Sequence, residues 1–148
     1  MKTAYYVATV INAYRRALDN LEKPFDESLE LDLYKASNRG FTTGFYFGKQ
    51  DAQNRQTSAP LQTYDFVAIV EEARGNTAVV RMKNRFRKGD ELEILSPTDA
   101  FNKTFTVDSI TDEQGVSIDD VKLVGQKVEI VTPYALHAGD ILRKNGIR

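Results

Sequence analysis

Apolar residues recur at helical spacing only near the start of the chain. From Thr3 to Asn20, Val7, Val10, Ile11, Tyr14 and Leu18 return every three or four positions, which predicts an amphipathic helix with Arg15, Arg16 and Asp19 on its other side. A second helix is predicted from Asp26 to Ala36, opened by Pro24 and with Asp26 as N-cap. Leu29, Leu31, Leu33 and Tyr34 give it an imperfect apolar side. Two helices of this length cannot bury their faces alone, so they are expected to pack on each other or on further protein. From Lys49 to Pro60 the pattern lapses into a polar, glutamine-rich run that reads as a linker. Beyond Leu61 the period falls to about two. Strands are predicted from Tyr64 to Glu72, Thr77 to Lys83, Glu91 to Leu95, Lys103 to Ile110, Lys127 to Val131 and Asp140 to Lys144. Gly75-Asn76 supplies a two-residue hairpin turn, because glycine accepts the positive φ such a turn demands. Lys88-Gly89-Asp90, Ser96-Pro97-Thr98, Asp112-Glu113-Gln114-Gly115 and Ala138-Gly139-Asp140 punctuate the rest.

These elements make an α+β chain that is mainly β. The expected organisation is a helical segment over 1–48, a linker over 49–60 and a β domain over 61–148. Six short strands without intervening helices argue a small antiparallel barrel or sandwich, and the barrel is favoured since closure removes exposed strand edges. The 148 residues suffice for this, and 41% hydrophobic with 28% charged residues does not suggest disorder. The chain contains no cysteine, which excludes disulfides, thiol nucleophiles and an iron–sulfur cluster on its own thiolates. No apolar run approaches the ~18 residues of a membrane span and no leader pattern opens the chain. A cytoplasmic location without a membrane partner is therefore expected.

Candidate chemistry is sparse. The one histidine, His137, lies in a predicted turn close to Asp140, but no strained Gly-x-Ser-x-Gly elbow accompanies it. A turn histidine of no catalytic role is the expectation. Asp112, Glu113, Asp119 and Asp120 lack the spacing of a calcium loop and read as solvated. Gly40, Gly44 and Gly48 are spaced by four and do not form a phosphate-cradling motif. Neither a cofactor nor a metal is expected on this chain, and it is not expected to catalyse a reaction by itself.

Binding is the more open possibility. Net charge is −1 overall, and residues 61–148 carry 12 Lys+Arg against 14 Asp+Glu. Five cations nevertheless fall together: Arg81, Lys83, Arg85, Arg87 and Lys88. The first four alternate with Val80, Met82 and Phe86, so one extended strand would line them up at intervals of ~6.5–7 Å, suited to a phosphate backbone. Arg143, Lys144 and Arg148 extend the row if the last strand lies nearby. The competing reading is the solvated outer face of a strand. Phe41, Phe45, Tyr46 and Phe47 either stack on bases or, as such residues more often do, pack into a core.

Three segments carry resemblances. Ser37-Asn38-Arg39 followed by Thr43-Gly44-Phe45 resembles the segment after the catalytic region in the U32 peptidase family, the collagenase-like proteases and their RNA-hydroxylating relatives. Tyr5-Tyr6-Val7-Ala8 with Tyr14-Arg15 resembles the last helix of that region. Arg39, Gly44 and Phe45 match the family pattern, while Asn38 stands where many members carry histidine and cannot titrate. Phe86-Arg87-Lys88-Gly89-Asp90-Glu91-Leu92-Glu93-Ile94 is similar to the strand entry of the second domain of translation elongation factors, a barrel to which the U32 C-terminal domain is alike in fold. The resemblance implies an accessory C-terminal region that positions RNA or polypeptide for a parent catalytic domain with a proteolytic or RNA-hydroxylating activity. tRNA or another RNA is then the implied partner. The alternative is a docking or dimerisation module, giving a homo-oligomer or a contact with the parent domain through the aromatic segment and the first helices.

Overall fold

The Thr3 side chain accepts a hydrogen bond from Tyr6 N at 3.2 Å and so starts helix α1, Ala4–Asp19. The computed structural model describes residues 3–38, 41, 46, 48 and 63–146. They belong to two units, one within 1–63 and one within 64–148. The expected linker over 49–60 lies outside the described residues.

In the helical unit, α1 buries a different stripe from the one expected. Tyr5, Thr9 and Ala13 are buried, whereas Val7, Ile11, Tyr14 and Leu18 are 44%, 62%, 65% and 58% exposed. Small and hydroxylated side chains allow the close approach. Thr9 turns its hydroxyl back onto Tyr5 O at 3.0 Å, and Tyr5 Oη donates to Lys35 O at 3.1 Å. The second helix, α2, is only Ser28–Leu33, shorter at both ends than expected. Asp26 lies before it and accepts from Ser28 N at 3.0 Å, a turn rather than a cap within a longer helix. Asp32, fully buried, is paired with Lys35 at 3.2 Å.

Among the described residues the second unit holds nine strands: β1 Tyr64–Arg74, β2 Thr77–Met82, β3 Phe86–Arg87, β4 Glu91–Leu95, β5 Thr104–Thr106, β6 Ile110–Asp112, β7 Asp120–Val121, β8 Lys127–Val131 and β9 Ile141–Asn145. Seven form one antiparallel sheet in the order β5-β4-β9-β1-β2-β8-β6, and β3 pairs with β7 apart from it. The strand expected from Lys103 to Ile110 is thus two strands, on opposite edges of the sheet. Only residues 107–109 join them, and four Cα steps span at most about 15 Å. That tether brings the edges together and curls the sheet. The result is a curled half-barrel of seven strands, not the six-stranded closed barrel expected, because chain continuity between β5 and β6 takes the place of a hydrogen-bonded seam.

The core lies inside the curl. Val67, Val80, Phe86, Leu92, Ile94, Val107, Ile110 and Leu142 are wholly withdrawn from water. Each such side chain contributes roughly 1.5–3 kcal/mol. The hairpin turn forms as expected, with Arg74 opposite Thr77 and Gly75 at φ 61°.

The two Gly-Asp corners are built alike, hydrogen bond for hydrogen bond. In the first, Asp90 N donates to Arg87 O at 3.1 Å, and Arg87 N donates to Asp90 Oδ2 at 2.8 Å. In the second, Asp140 N donates to His137 O at 3.0 Å, and His137 N donates to Asp140 Oδ2 at 2.8 Å. Gly89 N then donates to Val107 O and Val107 N to Asp90 O, while Gly139 N donates to Val70 O and Val70 N to Asp140 O. Both glycines hold positive φ, 87° and 95°. Each corner turns the chain into a buried strand and ties it to a neighbour.

Candidate nucleic-acid interface

Segment 81–88 runs antiparallel to segment 119–127, and the candidate cations lie along this ladder. Arg81 stands opposite Lys127, Phe86 opposite Val121 and Arg87 opposite Asp120. Between these pairs Met82 N donates to Gln126 O at 2.9 Å and Gly125 N to Met82 O at 2.9 Å, and beyond them Lys88 N donates to Asp119 O at 2.9 Å. The expected unbroken strand of alternating charges does not exist, however. β2 stops at Met82, because Lys83 N and Asn84 N turn to Val67 O, and pairing resumes only at Phe86. Spacing along the row is therefore irregular.

Two carboxylates organise the cations. A register shift in β1 between Val70 and Glu72 takes Glu71 out of the pairing. Its side chain meets Arg81 and also Lys127, the latter at 2.8 Å. Hydrogen bonds from Lys127 first, then from Arg81, hold the Glu71 carboxyl below the ordinary carboxylate range. On β7, Asp120 receives both arms of the Arg85 guanidinium, with Nε at 2.9 Å from Oδ1. Arg87 stands 3.5 Å and Lys122 3.7 Å away. The Arg85 hydrogen bonds above all, then the charges of Arg85, Lys122 and Arg87, depress Asp120 to about 2. The same bonds push the Arg85 guanidinium up.

Pairing leaves an excess. Segments 81–88 and 119–127 carry Arg81, Lys83, Arg85, Arg87, Lys88, Lys122 and Lys127 against Asp119 and Asp120, and Glu71 of β1 adds one carboxylate beside Arg81 and Lys127. Lys83 and Lys88 are exposed and make no ion pair among the described residues. Arg85, Arg87 and Lys122 keep 50%, 58% and 64% of their side chains in water. Lys122 and Lys127 were missed in the sequence because each stands alone there. Only the antiparallel register brings them beside Arg81 and Arg87.

The structure withdraws Arg143 from this surface. Its side chain is wholly buried, with Nε 2.7 Å from Glu93 Oε1 and the Nη2 nitrogen 2.6 Å from the same oxygen. Nη2 also donates to Asn102 Oδ1 at 2.6 Å, and the guanidinium lies 5.7 Å from the Tyr64 ring centroid. A phosphate cannot reach it, and it serves to join β4, β9 and the turn at Asn102. Lys144 is half-buried and donates to Asp90 Oδ2 at 2.9 Å. Arg148 lies outside the described residues.

In the helical unit, Asn38 is buried and donates to Ala36 O at 2.9 Å, which makes it a support of the backbone there. Phe41 meets the Tyr34 ring edge-on at 5.2 Å. Tyr46 is 84% exposed. Arg39, Gly44, Phe45 and Phe47 lie outside the described residues. His137 is exposed, with Nδ1 3.9 Å from Asp140 Oδ2, an oxygen already bonded to the His137 backbone. Among the described residues no group of three or more His, Cys, Asp or Glu side chains is placed to hold a metal. Nor is any helix there long and apolar enough to cross a membrane.

Comparison with known proteins adds three findings. Residues 62–143 match the peptidase family U32 C-terminal domain, and residues 1–56 match peptidase family U32. The chain is 31% identical to tRNA hydroxylation protein P1 of Bacillus subtilis over 97% of its own length, and 30% identical to tRNA hydroxylation protein P of Escherichia coli over 91%. It spans about a third of those relatives, 36% and 31% respectively. The crystal structure of the C-terminal domain of a Geobacillus thermoleovorans protein assigned to the U32 peptidases is 28% identical, with a TM-score of 0.51. The match covers 54% of this chain and 99% of that one.

Proposed function

This chain belongs to peptidase family U32, and from that membership we propose that it is a non-catalytic accessory region that holds RNA, tRNA first among the candidates, for chemistry carried out by a U32 catalytic domain. The observation that carries the proposal is the excess of cations on the 81–88/119–127 ladder. Relatives that are tRNA hydroxylation proteins give that excess a ligand of matching charge. Glu71 and Asp120 do not cancel the site. They fix Arg81 and Arg85 in place before a ligand arrives, which lowers the ordering cost of binding. Phosphates then meet a net positive ladder, with Lys83 and Lys88 free to reach them.

An unmodified tRNA transcript tests this reading with the full 148-residue chain. If about four phosphates are neutralised, affinity falls roughly 50- to 150-fold between 50 and 200 mM salt. Changing Lys83, Arg87, Lys88 and Lys122 together to glutamine removes most of that dependence while sparing the Arg81–Glu71 and Arg85–Asp120 pairs. Absence of binding at ~50 mM salt, where phosphate contacts are strongest, or a variant that binds as well as the parent, overturns the reading.

A second reading is favoured by α1. Val7, Ile11, Tyr14 and Leu18 form one exposed apolar stripe. Tyr14 also borders a hollow of about 230 Å³ lined by Ala13, Ala17, Phe25, Leu29 and Leu33. Such a surface suits docking on the catalytic part of a U32 protein, and residues 1–56, which hold the stripe, match peptidase family U32. Ile11→Asp abolishes an association of this kind, which salt leaves intact. Self-association of the chain lost in the same variant assigns the stripe to a dimer instead.

A further inference from the structure

One feature of the basic ladder is not basic. Leu123 and Val124 are 70% and 79% exposed, adjacent aliphatic side chains at the tip of the turn between β7 and β8. The turn is held firmly. Gln126 N donates to Leu123 O at 2.9 Å, Gly125 takes φ 85°, and Met82 bonds both Gly125 and Gln126 at 2.9 Å. Lys122 and Lys127 flank the tip, each tied to a carboxylate of the ladder. An apolar point presented to water and framed by lysines matches a nucleotide in its parts, with phosphates at the edge and the face of a base between them.

Resting on the RNA reading above, we propose that the Leu123–Gln126 turn contacts unpaired bases of the bound RNA, and so selects RNA with single-stranded loops over duplex. The chemistry follows from the helix form. An A-form duplex keeps its base faces stacked and its major groove too narrow for side chains, while a loop exposes base faces to an apolar side chain. Charge complementarity favours RNA over a protein partner at this position. The cations of the ladder call for an anion, and the tip lies between two of them.

Two measurements test the assignment, both on the full chain with an unmodified tRNA transcript and a blunt RNA duplex of equal length. Leu123→Ser with Val124→Ser changes only exposed side chains. It is expected to weaken tRNA binding about 10-fold, the order set by burying one aliphatic side chain, with the salt dependence and the duplex affinity unchanged. The chain contains no tryptophan, so Val124→Trp introduces a single tryptophan, excited selectively over the tyrosines, which tRNA quenches and duplex does not. Unaltered tRNA affinity together with an unquenched tryptophan overturns the tip assignment and leaves the basic ladder standing. An equal loss for tRNA and duplex also overturns the base contact. Failure of the parent chain to bind either RNA at low salt removes the RNA reading itself, and leaves the tip as a protein-docking point.

Discussion

Arg143 separates structural charge from the charge proposed to bind RNA, and replacing it tests that division. Arg143→Met removes a guanidinium that is 0% exposed and leaves Glu93, 8% exposed, with its principal partner gone. Breaking a buried pair from one side costs about 3–5 kcal/mol. A unit spanning 64–148 is expected to have roughly 4–13 kcal/mol of stability in all. The variant therefore loses a large part of its margin, and at a urea dependence of about 1–1.5 kcal/mol/M its midpoint falls by roughly 2–5 M. Adding Glu93→Leu removes the stranded carboxylate and restores most of the loss. The hydrogen bond from Arg143 to Asn102 Oδ1 is still lost, so the double variant stays about 0.5–1.5 kcal/mol below the parent. The assay is urea titration followed through the amide signals of Ile94 and Leu142, which report on β4 and β9 rather than on the helical unit. A loss under about 1 kcal/mol in the single variant, or no recovery in the double, refutes the account. So does a variant that keeps its fold and loses RNA affinity, since that would return Arg143 to the binding surface.

Three further outcomes follow from the geometry. Gly89→Ala and Gly139→Ala each cost about 1–2 kcal/mol in urea denaturation and add in combination, because an added Cβ meets nothing within 4 Å and only the positive φ resists it; a neutral result at either corner breaks the equivalence of the two turns. Asp120, depressed from 3.8 to about 2, contributes stability that is present above the unfolded value and lost as pH falls from about 4 through 2. Asp120→Asn should flatten the acid limb of a stability–pH profile in that window, and an unchanged limb removes Asp120 as its source. Thr9→Leu overpacks the buried stripe of α1 and costs about 1–3 kcal/mol, whereas Ile11→Gln stays within about 0.5 kcal/mol in the same thermal melt; the reverse ranking would reinstate the stripe expected from the sequence.

Turns and most strands were legible because their signals are local. Gly75-Asn76, Gly89-Asp90 and Gly139-Asp140 each require a backbone that few other residues adopt. The split of the strand from Lys103 to Ile110 had a trace as well. Phe105 and Val107 keep the period of two, but the next buried residue is Ile110, out of phase by one. A one-residue slip sends side chains to the opposite face, so the strand had to break there. The buried stripe of α1 was misread because large apolar residues outweigh small ones in a periodicity count. A close helix contact selects for small size at Thr9 and Ala13, and Tyr5 joins them because its hydroxyl reaches Lys35 O.

The site was half legible for a different reason. A run such as Arg81 to Lys88 declares its charge locally, but what that charge is worth depends on partners far along the chain. Asp120 lies 35 residues from Arg85, and Glu93 lies 50 from Arg143. Before folding, Arg143 and Arg85 are the same kind of residue. Afterwards Arg143 sits on β9, a central strand between β4 and β1, under Tyr64 and the turn at Asn102, while Arg85 lies between two short paired segments with half its side chain in water. Burial thus converts one cation into a clamp, and register collects Lys122 and Lys127 to replace it. Because Glu71 and Asp120 each answer more than one cation, a phosphate arriving as the RNA proposal has it need not displace either carboxylate. It adds to a lattice that is already ordered and still net positive.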